Sequence, residues 1–199
     1  KLAKAAEAVG GHVLEPWVGY WQLRLKLEER PAEEVRWFLT RNAGSLLAEQ
    51  LRRDWLKVLG KKREWAQFNE EAPQVFGDDP ELTCYGLLGR AVSGDASALA
   101  ELKPLWLAPR DLPEGCGPLT DKLFATWQWG GAQVWERFRI LIDANQLAAA
   151  RRLTTLLPRG EGVELKKLDW ALNSPLHLLE RANPELGTRT QRELYIAAV

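Results

Sequence analysis

Arg90-Ala-Val-Ser-Gly-Asp-Ala-Ser-Ala-Leu-Ala-Glu-Leu102 and Leu141-Ile-Asp-Ala-Asn-Gln-Leu-Ala-Ala-Ala-Arg-Arg-Leu153 share one plan: the end of a helix, a tight turn, and a new helix rich in alanine and leucine. Lys57-Val-Leu-Gly-Lys-Lys-Arg-Glu-Trp-Ala-Gln-Phe68 is a looser third copy. The pattern around them is helical as well. Leucine and alanine dominate the apolar set, while isoleucine and valine, which lose rotamer freedom on a helix and suit strands, are scarce. Leu47, Leu51, Trp55 and Val58 fall on one helix face, as do Trp135, Phe138, Leu141 and Ile142, and then Leu147, Ala150, Leu153 and Leu157. No stretch alternates with period two for long, so the expected fold class is all-α.

Punctuation divides the helical pattern into short pieces. Pro31, Pro80 and Pro113 sit where a first turn tolerates a missing N–H, and the acids that follow (Glu33, Glu81 and Glu114) suit the positive end of a helix dipole. Helices are predicted at 16–29, 31–42, 46–60, 63–71, 80–93, 96–107, 117–128, 132–144, 146–157, 162–173, 175–182 and 188–198. Their links are short, which makes neighbours antiparallel. A helix, a turn at Gly or Asn, and an Ala/Leu helix is the unit of tetratricopeptide-like solenoids, where each hairpin buries its apolar face only against the next. Residues 1–199 therefore read as a single superhelical array of αα-hairpins, or a fragment of one, exposing apolar surface at its ends around Leu2 and Leu194 to Val199.

Composition excludes several functions. With 46% apolar residues the 199-residue chain buries a core, and 27 basic residues balance 27 acidic ones, so it lacks the positive field that nonspecific nucleic-acid binding needs. No run approaches the ~18 apolar residues of a membrane span, and Lys1 does not begin a signal peptide. The absence of methionine leads us to expect an N-terminus made by processing or cutting. Two histidines, His12 and His177, and two cysteines, Cys84 and Cys116, have no spacing that suits a metal, and no cofactor motif is present. Gly-rich phosphate loops, nucleophile elbows and helical zinc motifs are missing too.

The remaining candidates have structural readings. Ten tryptophans suggest stacking on sugar rings, but Trp37 with Phe38, Trp55, Trp65 with Phe68, Trp106 and Trp135 all lie beside leucines at helical spacing and are expected in the core. Trp127 and Trp129 precede Gly130-Gly131, where a ring has room to be exposed, yet closing a helix corner is the expected job. Trp17, Tyr20 and Trp21 form a stripe expected to pack on the next helix. The Arg52-Arg53, Lys61-Lys62-Arg63, Arg151-Arg152 and Lys166-Lys167 clusters lie among glutamates on faces expected to be solvated. Glu28-Glu29, Glu33-Glu34, Glu70-Glu71 and Asp78-Asp79 are neighbours that point apart rather than converging across a cleft.

Taken together, several segments resemble the superhelical U-shaped domain of the soluble lytic murein transglycosylases. His12-Val-Leu-Glu-Pro-Trp-Val-Gly-Tyr20 is similar to its opening helix, and Lys57 to Phe68 to a hairpin further along. Pro80-Glu-Leu-Thr-Cys84-Tyr85, Gly94-Asp95, Glu101-Leu-Lys-Pro-Leu-Trp106-Leu107 and Leu112-Pro-Glu-Gly-Cys116 resemble a Cys-Tyr helix, a Gly turn, a Leu-Trp-Leu helix and a Pro-x-x-Cys corner. Trp135-Glu-Arg137-Phe-Arg139 and Ala144 to Pro158 resemble the next hairpin.

The resemblance implies a periplasmic protein whose partners are a peptidoglycan glycan strand and a catalytic lysozyme-like domain. Catalysis in that family rests on a glutamate followed by serine, next to a Gly-Leu-Met-Gln motif; this chain has no Glu-Ser pair and no methionine, so no catalytic residue carries over, and the glycan-contacting residues stay unassigned. A periplasmic location also implies that Cys84 and Cys116 are oxidised to a disulfide. Their separation, 116 − 84 = 32, is close to one ~34-residue repeat. Two unpaired core thiols remain the alternative, and with them a free-standing tetratricopeptide-like module that captures a protein partner.

Overall fold

The structure, a computed structural model, describes residues 10–181 and 187–199, so Leu2 lies outside the described residues. Every regular element among them is helical, as the composition leads one to expect. The three repeat copies share one turn. Each places a residue in the left-handed region, Arg63 (φ 61°), Gly94 (96°) and Asn145 (56°). The next N–H then reaches back five residues, Glu64 to the Leu59 carbonyl at 3.0 Å, Asp95 to Arg90 at 3.0 Å and Gln146 to Leu141 at 2.7 Å. These bonds satisfy carbonyls that a helix end leaves without a partner. In the third copy the turn falls at Arg63, while Gly60 lies inside the helix. A fourth turn of the same kind has Trp127 (φ 58°) in the left-handed position, with the Gln128 N–H donating to the Leu123 carbonyl at 3.1 Å.

The chain divides into two compact units, Lys1–Ala98 with Glu114–Cys116, and Leu99–Pro113 with Gly117–Val199. The first unit holds α1 (Glu15–Arg24), α2 (Ala32–Arg41), α3 (Leu46–Lys62), α4 (Trp65–Glu71) and α5 (Pro80–Val92). α1 packs on α2 and α3, α2 on α3, α3 on α4 and α5, and α4 on α5, so each helix meets its next neighbours along the chain, the contact order of a solenoid. Tyr20, Val35, Phe38, Leu51, Trp55, Leu56 and Phe68 fill the core. Ser45 Oγ caps α3 by accepting from the Ala48 N–H at 3.2 Å, and the Asp79 carboxylate caps α5 by accepting from Glu81 and Leu82 at 2.9 and 3.2 Å, with Pro80 in the first helical position. The helix expected over 16–29 stops at Arg24, and only a single 3₁₀ turn, Leu27–Glu29, remains before Pro31, which sits outside α2.

In sequence α6 (Ser97–Ala100) leads from the first unit to the second, which holds α7 (Lys103–Trp106), α8 (Gly117–Ala125), α9 (Gly131–Asp143), α10 (Leu147–Leu153), α11 (Leu165–Asn173), α12 (Pro175–Leu179) and α13 (Arg189–Ala197). The single helix expected over 96–107 is split in two because Pro104 lacks an N–H and its ring collides with the carbonyl four residues earlier, at Ala100, where α6 ends. α9 packs on α10 and α13, and α11 on α12 and α13. Trp106, Val134, Trp135, Phe138, Leu141, Ala150, Leu153 and Leu168 make the core. At the C-terminus Ile196 and Val199 are exposed as expected, but Leu194 is buried.

Candidate functional site

Cys84 on α5 and Cys116 on the 3₁₀ turn Glu114–Cys116 are joined by a disulfide, with Cα atoms 4.9 Å apart and both residues fully buried. Their neighbours in sequence complete the joint. The Tyr85 ring lies between Gly60 and Gly115, so close that a Cβ on Gly60 would stand 2.3 Å from Tyr85 Cγ and one on Gly115 2.8 Å from Cζ. The Cys-Tyr and Gly-Cys pairs are therefore one packing device in which glycine makes room for tyrosine beside the staple.

A trough of about 910 Å³ runs between α1 and α2, with Leu23, Leu25, Trp37 and Phe38 on its apolar walls and Lys26, Arg30, Glu33 and Glu34 at its rim. A second hollow of about 440 Å³ adjoins it through Gly19, Gln22, Trp37 and Phe38 and reaches His12 and Arg41. Gly19 permits the close approach, since a Cβ there would meet the Phe38 ring at 3.2 Å. Trp37, expected in the core, is instead 61% exposed: its helix neighbour Phe38 takes the inward position, and Arg41 lies 5.1 Å from the indole centroid. On α1 only Tyr20 of the aromatic stripe turns inward. Leu14, Trp17, Trp21 and Leu25, on and beside α1, stay exposed on a second face, so α1 carries apolar side chains on two faces.

The other tryptophans divide the same way. Trp55, Trp106 and Trp135 are buried and Trp65 packs against the first core, as expected. Trp129 closes a corner with Trp106 and Phe124, at centroid distances of 4.6 and 6.0 Å. Trp127, given the same corner job by the sequence, is 87% exposed instead and sits in the left-handed position of the turn.

Several charged side chains are internal. Glu71 on α4 is buried, its oxygens taken by Arg52 on α3 and, at 3.2 Å, by Arg36 on α2. Glu193 on α13 is buried between Arg139 on α9, at 2.6 Å, and Arg189, at 3.6 Å. Arg137 is 2% exposed and donates to the carbonyls of Trp106, Ala108 (3.4 Å) and Arg110 (2.8 Å), closing the C-terminal end of α7; burial lowers its pKa, and Asp111 works in the opposite direction. Both arginines of the Trp135-Glu-Arg137-Phe-Arg139 segment are thus structural. Of the other basic clusters, Arg151 pairs with Asp169, Arg152 with Asp111 and Lys61 with Glu114. Burial works against ionisation of Asp79, but the Leu82 N–H, the Lys57 ammonium and the Glu81 N–H outweigh it and hold its carboxyl below the usual range.

His12 Nδ1 accepts from the Leu14 N–H at 3.2 Å, and His177 stacks edge-on against Trp170, 4.4 Å between centroids. Among the described residues no three His, Cys, Asp or Glu side chains are grouped to hold a metal ion, and no helix is long and apolar enough to cross a membrane.

No family model matches the sequence, and no curated protein is similar to it. Solved structures are. The chain superposes on a 70-kDa soluble lytic transglycosylase in complex with bulgecin A with a TM-score of 0.70 at 20% identity, covering 98% of this chain and 32% of that one. The fold is that of the soluble lytic transglycosylases. The 70-kDa soluble lytic transglycosylase of Escherichia coli gives a TM-score of 0.71 at 20% identity, and an inactive mutant of the lytic transglycosylase Slt from Pseudomonas aeruginosa gives 0.67 at 22%, each with the same 98% and 32% coverage. The chain spans about a third of the length of these transglycosylases.

Proposed function

We propose that the chain is a segment of the superhelical scaffold of a periplasmic soluble lytic murein transglycosylase, and that it holds a peptidoglycan glycan strand while a catalytic domain outside these residues cleaves it. The observation that carries this reading is the likeness of fold to three solved structures of such transglycosylases over 98% of the chain. The buried Cys84–Cys116 disulfide supports an oxidising compartment. Cleaving a glycosidic bond takes a carboxylic acid at the leaving oxygen, and the two glutamates buried among the described residues, Glu71 and Glu193, have their oxygens occupied by arginines. A scaffold contributes to catalysis by orienting the polymer, so that binding to remote units aligns the reacting bond.

Co-sedimentation of the purified chain with murein sacculi tests the reading: saturable retention that soluble glycan competes away is expected, and recovery of all the protein in the supernatant would overturn it. The α1/α2 trough and the exposed outer face of α1 favour a second reading, a tetratricopeptide-like module that docks a protein helix. That module would leave sacculi unbound.

A further inference from the structure

We propose that Trp127 is a stacking platform for a sugar ring, a glycan subsite in the turn between α8 and α9; the assignment rests on the scaffold reading and names a residue for it. The four equivalent turns carry Arg63, Gly94, Trp127 and Asn145 in the left-handed position. Glycine and asparagine are the residues such a turn favours, and an arginine reaches solvent through a flexible stem. Any Cβ crowds the backbone there, and a bulky side chain such as tryptophan is a rare choice for the position.

The ring gains nothing inside the protein to offset that cost. It is 87% exposed, and while Trp129, two residues on, lies against Trp106 and Phe124, no ring contact involves Trp127 among the described residues. A residue that strains the turn and leaves its apolar face in water is accounted for by what it meets outside the fold.

The surroundings select the chemistry. No other large apolar side chain is exposed on α8, α9 or the turn between them, so these elements do not build around Trp127 the apolar patch that forms the centre of a protein interface. Its neighbours Thr126 and Gln128 are exposed, neutral and polar. A flat indole face beside neutral hydrogen-bonding groups suits an uncharged ring with one apolar face and a hydroxylated rim, which is a pyranose.

The test replaces Trp127 with glycine and, separately, with asparagine, both of which accept the left-handed turn, and measures each against the unaltered chain. Binding is read with a β-1,4-linked N-acetylglucosamine tetramer by perturbation of the indole N–H resonances, and stability by thermal unfolding. We expect Trp127→Gly and Trp127→Asn to weaken tetramer binding roughly 5-fold or more while the unfolding midpoint stays level or rises by ~2 °C. Binding that survives both substitutions would overturn the subsite and leave the scaffold reading standing. A midpoint that falls in both would overturn the subsite too, by showing that the ring supports the fold. An unaltered chain that binds neither tetramer nor sacculi would remove the scaffold reading and the subsite with it.

Discussion

The two units solve one problem by different means. Each must lock a short turn onto a longer helix. In the first, the Glu114–Cys116 turn is held to α5 by a covalent staple, with Tyr85 packed between Gly60 and Gly115. In the second, α7 and the residues after it are held by one buried cation, Arg137, donating to three carbonyls. A disulfide acts mainly by restricting the unfolded chain, whereas a buried guanidinium acts by satisfying groups that would otherwise lose their bonds to water. The units should therefore respond to different perturbations, and amide hydrogen exchange read separately for each is the measurement that shows it.

The largest effect is expected from the paired change Cys84→Ser and Cys116→Ser. Opening a loop with a separation of 32 residues costs about 3.7 kcal/mol in the chain-entropy model, and exchange should rise across α3 and α5 while α9 and α10 keep their protection. Next comes Arg137→Met, which keeps the side-chain volume but strands the Trp106 and Arg110 carbonyls, the Ala108 carbonyl keeping the Arg110 N–H, for a loss of about 3 kcal/mol seen in α9 and α10 instead. Equal losses of protection in both units from either change would dissolve the contrast. Gly60→Ala should cost about 2 kcal/mol in the first unit, since the new methyl group meets the rigid Tyr85 ring rather than a movable chain end.

The smallest effect concerns pH. Hydrogen bonds from Ser97, then Arg90, lower the Asp95 pKa to about 2, and Asp79 is also below its ordinary value. A carboxylate with a depressed folded pKa stabilises fully above its unfolded value of about 4 and loses that contribution as the pH falls through the folded one. The resistance of the first unit to chemical denaturation should fall in that acid window, and Asp79→Asn, which can still cap α5, should flatten part of the slope.

The repeat was legible in the sequence because its turn has a local cause: Gly94 and Asn145 are residues that accept a left-handed backbone, and the same bond pattern forms at both. Trp127 closes the same turn with a residue that carries no turn signal, so that copy was invisible. Burial of Trp55, Trp106 and Trp135 followed from helical spacing with leucine, but spacing cannot separate adjacent aromatic residues on one helix, and Phe38 rather than Trp37 went inward. The Arg36–Glu71 and Arg139–Glu193 pairs join helices that are not consecutive, 35 and 54 residues apart, where local pattern carries no information. The trough depends on Gly19 letting α2 approach, a close contact that one glycine in a helix does not announce.

The central claim is that this chain holds murein glycan without cutting it. Incubating the purified chain with murein sacculi and analysing the soluble fraction for anhydro-muropeptides tests it most directly. The account predicts no release by the chain alone while it stays bound to the sacculi. Reproducible release that Glu71→Gln, Glu193→Gln or any other single glutamate substitution abolishes would contradict it.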